Sequence, residues 1–130
     1  MNENKLIDKA IEASMKSYSP YSNFKVGAAL LCRDKSVFYG ANVENASYSL
    51  TICAERSAFL NAISDDKREF DAIAIVGGKD GKIVNFCPPC GACRQFMSEF
   101  CEPDFKIILF NGESTKIMTL GELFPAKFDL

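Results

Sequence analysis

The 130-residue sequence contains no histidine, and it has no run of basic residues. Because histidine is absent, a zinc site with an imidazole ligand is excluded, and an arrangement that takes its ligands from His or Cys can occur only in its all-cysteine version. The formal net charge is −2 and the sequence pI is about 5.2. Proteins that bind nucleic acid usually present a basic face, so this balance favours a free small molecule as the substrate over a polyanionic partner.

Long apolar runs are also missing. The longest, residues 26–32, is far too short to cross a membrane. The first five residues are polar and lead directly into an amphipathic pattern, which is not typical of a signal peptide. No repeat, linker or low-complexity segment interrupts the chain. The sequence therefore predicts a single domain, 1–130, in the cytoplasm, with enough hydrophobic residues (48%) for a core.

The periodicity of apolar residues predicts an α/β fold. The predicted helices are 3–16, 53–64, one beginning near residue 90, and a short turn at 120–124; the predicted strands are 24–32, 37–41, 71–78, 106–110 and 116–119, with a possible extended piece at 83–86. This order predicts a mixed five-stranded sheet with helices covering both faces. The second and third helices, as crossover connections, are expected to make neighbouring strands parallel.

Two cysteine-bearing segments fall where a loop enters a helix. The first is Cys53-Ala-Glu-Arg56, and the second contains Cys90-Gly-Ala-Cys93 followed by Arg94. Three thiolates can hold one zinc ion and leave its fourth position open. They also leave a net charge of about −1 on the centre, which the two arginines could offset by donating to the sulfurs.

Glu55 is the carboxylate closest to these thiols in the sequence. In a regular helix Cys53 and Glu55 would point roughly apart, because residues two positions apart do not share a face. A joint site therefore requires Cys53 at the helix cap, with Glu55 in the first turn leaning over the metal.

Simpler interpretations remain open for each element. With Cys87 included, four thiols could form a closed structural zinc site. The Cys87-Pro-Pro-Cys90 spacing also resembles a thioredoxin-like redox pair, although the surrounding order of elements differs. A lone glutamate in a first helical turn is usually a surface charge that complements the helix dipole, and arginines beside it are usually solvated.

The combined motifs resemble the small, homotetrameric, zinc-dependent cytidine deaminases over nearly the whole chain. The segments that carry the resemblance begin at Phe24 (FKVGAA), Asn42 (NVENASY), Cys53 (CAER) and Pro89 (PCGACRQ), and the sequence ends in the related pattern LFPAKF up to Phe128. The resemblance implies a three-layer fold and one zinc ion per subunit. It further implies a homotetramer whose active sites are shared between subunits.

The resemblance also implies roles for individual residues. Zinc would be held by Cys53, Cys90 and Cys93, and Glu55 would carry protons. The pyrimidine would pack on Phe24 and contact the Ala54 backbone, and the ribose would be bound by Asn42 and Glu44. A neighbouring subunit's site would be reached by Ala46, Tyr48 and Phe128. The implied reaction is the hydrolysis of cytidine and 2′-deoxycytidine to uridine and 2′-deoxyuridine with release of ammonia. Zinc-bound hydroxide would attack C4 of the base in this reaction.

Two departures from the family pattern stand out. Cys87-Pro88 replaces an apolar residue followed by Ser or Thr, and Ser49-Leu50-Thr51 replaces Pro-Leu-Gly. The alternatives to a cytidine deaminase are a deaminase of a cytosine-containing antibiotic nucleoside of the blasticidin S type and a non-catalytic structural zinc module. The 42–45 segment favours an ordinary ribose.

Overall fold

The middle layer of the molecule is one mixed sheet of five strands. The computed structural model describes residues 1–130. The strands are β1 (Phe24–Cys32), β2 (Val37–Ala41), β3 (Phe70–Lys79), β4 (Lys106–Phe110) and β5 (Thr115–Thr119), and the helices are α1 (Glu3–Ser14), α2 (Ala54–Ser64), α3 (Gly91–Phe100) and α4 (Leu120–Leu123). The predicted fold class is confirmed.

The strand order across the sheet is β2-β1-β3-β4-β5. The pairs β1–β2, β1–β3 and β4–β5 are antiparallel, and β3–β4 is parallel. The prediction that both crossover helices join neighbouring parallel strands is therefore correct for α3 and wrong for α2. Strands β2 and β3 run in the same direction, but β1 lies between them, because β1 pairs with β3 through its edge opposite the β1–β2 hairpin.

Side chains alternate between the two faces of the sheet, so each strand contributes to two cores. On one face, Leu30, Ile73 and Ile107 pack with α2 and α3 around the fully buried Phe59. On the other face, the neighbouring positions of the same strands pack against α1, which contributes Leu6, Ile7 and Ala10. The layers are therefore α1, the sheet, and then α2 with α3.

Gly40 in β2 sets how closely α2 approaches the sheet. A Cβ atom at this position would lie 2.2 Å from the carbonyl oxygen of Ala54 and 2.4 Å from the amide nitrogen of Ala58. Any larger residue would therefore collide with the first two turns of α2. The absent side chain lets β2 hold the N-terminus of α2, which carries Cys53 and Glu55, directly against the sheet.

Three segments refine the predictions made from the sequence. Residues 83–86 form no strand, so the expected extended piece is wrong. The 42–52 segment is largely irregular, as predicted, with one 3-10 turn (Tyr48–Leu50) and an isolated bridge between Val43 and Ile52. The hairpin at Asn111 is present, and its connection comprises residues 111–114. No helix combines the length and apolar character that a membrane crossing requires.

Candidate metal centre and active site

Two helix N-termini meet at the cysteine-bearing segments. Cys53 is the N-cap of α2 and Cys90 is the N-cap of α3, each with an extended backbone. Cys93 is the third residue of α3, so it stands one turn above Cys90 on the same side. The requirement that Cys53 occupy the cap, with Glu55 in the first turn, is confirmed.

The three sulfur atoms have the spacing of a tetrahedral zinc site. The Cys53 and Cys90 sulfurs lie 3.8 Å apart and the Cys90 and Cys93 sulfurs 3.6 Å apart. All three lie within 4.8 Å of one another. Zn–S bonds of about 2.3 Å in a tetrahedron place two sulfurs about 3.8 Å apart, so these donors fit zinc. Cys87 is not a member of the group, and the group therefore offers three sulfurs and leaves a fourth position open.

The thiol of Cys53 is already disposed to ionise. Hydrogen bonding from Cys93 lowers the pKa of Cys53 to about 5, and Arg56 acts in the same direction. The pKa of Cys93 is raised, because it donates to Cys53 and is buried. A cysteine binds a metal as the thiolate, and metal binding displaces the thiol proton. Cys53, whose pKa is lowered, is therefore the ligand that loses its proton most easily.

The two arginines expected beside the sulfurs behave differently. Nη2 of Arg56 lies 3.5 Å from the Cys53 sulfur and 3.5 Å from the carbonyl oxygen of Thr51. In contrast, Arg94 donates from Nε to the carbonyl of Pro89 and from Nη1 to that of Leu123, each at 3.0 Å. Its hydrogen bonds therefore reach the backbone and not a sulfur, because the side chain extends along the start of α3 toward the C-terminal segment.

Glu55 lies beside the three thiols with only 4% of its surface exposed. Burial raises the pKa of this carboxyl to about 7, and the negative charge of Cys53 contributes to the rise. A carboxyl with a pKa near neutrality can both accept and release a proton at physiological pH. The site therefore combines a metal-binding group with a proton carrier.

Asn42 is fixed by the first residues of β1. Its Oδ1 accepts from the amide of Val26 at 3.0 Å and from the hydroxyl of Ser17, and its Nδ2 donates to the carbonyl of Phe24 at 2.8 Å. Only 8% of its surface is exposed. The side chain thus replaces a missing strand partner at this end of β1.

Glu44 closes the turn that precedes β1. Its Oε1 accepts from the amides of Tyr21 and Ser22 at 3.0 and 3.1 Å, and its Oε2 accepts from the Ser22 hydroxyl. These donors, with the hydroxyl contributing most, lower the pKa of the carboxyl. Glu44 is therefore a buried carboxylate in its charged form.

The remaining predicted residues divide into two groups. Ala54 is fully buried as the first residue of α2, where its N–H has no acceptor within the helix. Phe24, Ala46, Tyr48 and Phe128 are all exposed, Tyr48 by 58% and Phe128 by 66%. Tyr48 packs edge-on against Tyr21 at a centroid distance of 5.9 Å. Ala46, Tyr48 and Phe128, the three residues expected to reach a neighbouring subunit, therefore all face solvent in the single chain.

Cys87 lies against Phe24 and Gly77 and outside the thiol group. A Cβ atom on Gly77 would lie 2.9 Å from the Cys87 sulfur and 3.0 Å from Cε2 of Phe24, so the sulfur and the ring share the space above this glycine. Burial raises the pKa of the Cys87 thiol to about 11. The Cys87 sulfur therefore lies in a separate environment from the other three, and it is not one of the sulfurs that lie within 4.8 Å of one another.

The sequence predicts no role for three residues that hold parts of the site. Ser17 and Ser22 bind the side chains of Asn42 and Glu44, and Gln95 binds the C-terminal segment. The partners are 22 to 33 residues apart, and nothing in the residue types predicts the pairing.

A surface cavity of about 600 Å³ lies away from this site. It is lined by the first residues of β3 and β4 and by both basic and acidic side chains, among them Arg33, Arg68 and Glu69. The group of three sulfurs lies instead near the opposite end of the sheet, where Phe24 of β1 pairs with Lys79 at the end of β3. Within the single chain Cys93 and Glu55 are buried at this end, whereas Cys90 is exposed.

Comparisons with known proteins agree with this arrangement. Residues 1–109 match the family described as the cytidine and deoxycytidylate deaminase zinc-binding region. A cytidine deaminase of Halalkalibacterium halodurans is 49% identical over 98% of this chain and 95% of its own length. The crystal structure of cytidine deaminase from Burkholderia pseudomallei, 46% identical, superimposes with a TM-score of 0.91 over 98% of this chain and 100% of that one.

Fold, thiol geometry and these matches together place the chain in one family. It belongs to the cytidine and deoxycytidylate deaminase family. The blasticidin-S deaminase of Bacillus cereus is a more distant relative, with 28% identity over 95% of this chain and 89% of its own length.

Proposed function

We propose that this protein catalyses the zinc-dependent hydrolytic deamination of cytidine and 2′-deoxycytidine, giving uridine or 2′-deoxyuridine and ammonia. The observation that carries the proposal is the three-sulfur group at zinc spacing beside a buried glutamate whose pKa is about 7. Relatives at 43–49% identity over nearly the whole chain are named cytidine deaminases. The reaction belongs to pyrimidine salvage, and we propose that it takes place in the cytoplasm.

Cys53, Cys90 and Cys93 would hold one zinc ion per chain. When bound there, zinc would act as a Lewis acid that lowers the pKa of a water molecule toward neutrality. Arg56 offsets part of the negative charge of the three thiolates through its 3.5 Å contact with Cys53.

Glu55 would move the protons of the reaction. In its ionised form it takes a proton from the attacking water and delivers it to N3 of the pyrimidine. It then carries the remaining proton of that water from the new C4 hydroxyl to the exocyclic nitrogen, so that the C4–N bond breaks, ammonia leaves and the oxygen remains on C4 as the carbonyl. A pKa near 7 suits both directions of transfer.

Asn42 and Glu44 retain the hydrogen-bonding capacity that a sugar hydroxyl requires. Both lone pairs of Asn42 Oδ1 and one of its two N–H groups are occupied, which leaves one donor. Glu44 has about four acceptor positions and accepts three hydrogen bonds within the chain, which leaves about one acceptor. One hydroxyl group, which donates once and accepts from a donor, matches this pair.

The base would lie against the half-exposed ring of Phe24, near the free N–H of Ala54. In one protomer this position is open to solvent, and Tyr48 and Phe128 are exposed as well. We therefore propose a homotetramer in which Ala46, Tyr48 and Phe128 complete the site of a neighbouring subunit. Closed dihedral symmetry would give every subunit the same completed site.

Turnover of cytidine by the purified zinc-loaded protein tests the activity. We expect stoichiometric uridine and ammonia from cytidine, and a much lower kcat/KM with blasticidin S. Glu55→Gln should abolish turnover while retaining zinc, whereas Glu99→Gln, an exposed helical glutamate, should leave turnover unchanged.

X-ray absorption at the zinc edge separates the catalytic site from a structural one. Three sulfur ligands and one lighter ligand are expected. Four sulfurs, or the absence of uridine at high enzyme concentration, would contradict the proposal.

A further inference from the structure

The C-terminal segment, residues 125–130, is attached to the rest of the chain by a single hydrogen bond. Nε2 of Gln95 donates to the carbonyl oxygen of Phe128 at 3.1 Å. The backbone amides of this segment make no hydrogen bond, since the last backbone bond in the chain is Phe124 to Leu120. The position of Phe128 in the protomer therefore depends on one side chain of α3.

Arg94, the residue before Gln95 on α3, holds the chain just before this segment. Arg94 joins the carbonyl of Leu123 to that of Pro89, each at 3.0 Å. Phe124 packs against the core of its own subunit. Residues 123 and 124 are thus fixed independently of Gln95, and the free length between the two attachments is short.

The position of Gln95 on α3 determines which way this segment lies. Cys93 faces the metal group and is fully buried. Gln95 follows two positions later, which is a rotation of about 200° around the helix. The bond to the Phe128 carbonyl therefore forms on the side of α3 away from the thiols of the same chain, and Phe128 is 66% exposed.

We propose that Gln95 is a positioning residue that presents Phe128 to the active site of a neighbouring copy of this chain. This inference rests on the shared site of the proposed function. An exposed phenylalanine whose carbonyl is held on the side of α3 opposite the thiols is placed to contact a second subunit.

Removal of the amide donor should weaken substrate binding without changing the chemical step. Gln95→Met keeps the length of the side chain and loses the N–H donor, so we expect KM for cytidine to rise about fivefold with kcat unchanged, as one lost hydrogen bond implies. Gln95→Lys restores a donor of similar reach and should return KM toward the wild-type value. Far-ultraviolet circular dichroism and zinc content should be the same in all variants.

A double variant tests whether Gln95 acts through Phe128, and mixed tetramers test whether the effect crosses from one subunit to the next. Phe128→Ala should raise KM by at least as much, and the double variant should be no worse than Phe128→Ala alone. In tetramers reassembled from Gln95→Met chains and an excess of Glu55→Gln chains, the active sites receive intact C-terminal segments from inactive neighbours. Their KM should therefore fall toward the wild-type value.

Three outcomes would overturn the inference. They are an unchanged KM in Gln95→Met when Phe128→Ala raises KM, fully additive effects in the double variant, and no recovery in the mixed tetramers. An unchanged KM in Phe128→Ala would instead contradict the proposal of a shared site, and it would leave the proposed deamination of cytidine unaffected.

Discussion

The side-chain amide of Asn42 donates to the carbonyl oxygen of Phe24 at 2.8 Å. The residue proposed to bind the sugar therefore also fixes the backbone of the residue proposed to pack on the base. Because Asn42 Oδ1 accepts from the amide of Val26 as well, the side-chain amide joins two residues along one edge at the start of β1. If both proposed roles hold, sugar binding and base binding would be coupled through this one side chain.

Asn42→Asp should impair both functions. The substituted carboxylate would place an acceptor against the Phe24 carbonyl, where an N–H now donates. A buried acceptor without a donor costs about 1–3 kcal/mol, so we expect a loss of that size in the free energy of unfolding and at least a tenfold rise in KM. Urea titration and steady-state kinetics measure the two effects.

Asn45→Asp is the matched control for this substitution. Asn45 is exposed, and its recorded hydrogen bond uses Oδ1, which accepts from the amide of Ser47 at 2.9 Å. An aspartate preserves that acceptor, so stability and KM should stay close to wild type. If the two variants behaved alike, the bridge between Asn42 and Phe24 would have no energetic importance.

Glu44→Ala should reduce kcat/KM for cytidine and 2′-deoxycytidine to the same extent. We propose that the sugar hydroxyl that Glu44 binds is the 3′-hydroxyl, which both nucleosides carry. A hydrogen bond to a charged acceptor contributes about 1.5–3 kcal/mol, which corresponds to about a 10- to 100-fold loss. A loss confined to cytidine would instead assign Glu44 to the 2′-hydroxyl.

Local sequence patterns were sufficient where the chemistry is local. The cap position of Cys53 followed from the need to bring Glu55 to the same side, and the short spacing of Cys90 and Cys93 placed both thiols together. The hydrophobic pattern of residues 71–78 predicted the central strand because both of its faces are buried.

Long-range pairing accounts for most of what the sequence did not predict. Arg94 is next to a thiol in sequence, yet its guanidinium reaches Leu123, a residue 29 positions away. Ser22 binds Glu44 across a similar gap. The type of a side chain does not identify such a partner. The pairing of β1 with β3, which places β1 between β2 and β3, likewise depends on contacts between residues that are far apart in the sequence.

Cys87→Ser should leave zinc content unchanged at neutral pH. The Cys87 thiol lies outside the three-sulfur group, and burial raises its pKa to about 11. Metal analysis after dialysis should therefore give the same zinc per chain as wild type, whereas Cys53→Ser should lose the metal. Zinc loss in Cys87→Ser would identify a different ligand set.

The buried carboxyl of Glu55 makes the stability of the metal-free protein depend on pH. Its pKa is about 7 in the folded chain and about 4.3–4.5 when unfolded. The folded state therefore binds more protons between these values, so the stabilising contribution is complete below about pH 4.5 and is lost as pH rises through 7. A difference of about 2.5 pKa units corresponds to about 3 kcal/mol.

Glu55→Gln removes this dependence, because a glutamine remains neutral at every pH. In the presence of chelator and reductant, the variant and the wild type should have similar free energies of unfolding near pH 4.5. At pH 8 the variant should be more stable by about 3 kcal/mol. Urea unfolding at both pH values measures the difference, and the comparison at low pH controls for packing changes caused by the amide. A difference that is the same at pH 4.5 and pH 8 would mean that Glu55 is not held as a buried acid in the metal-free fold.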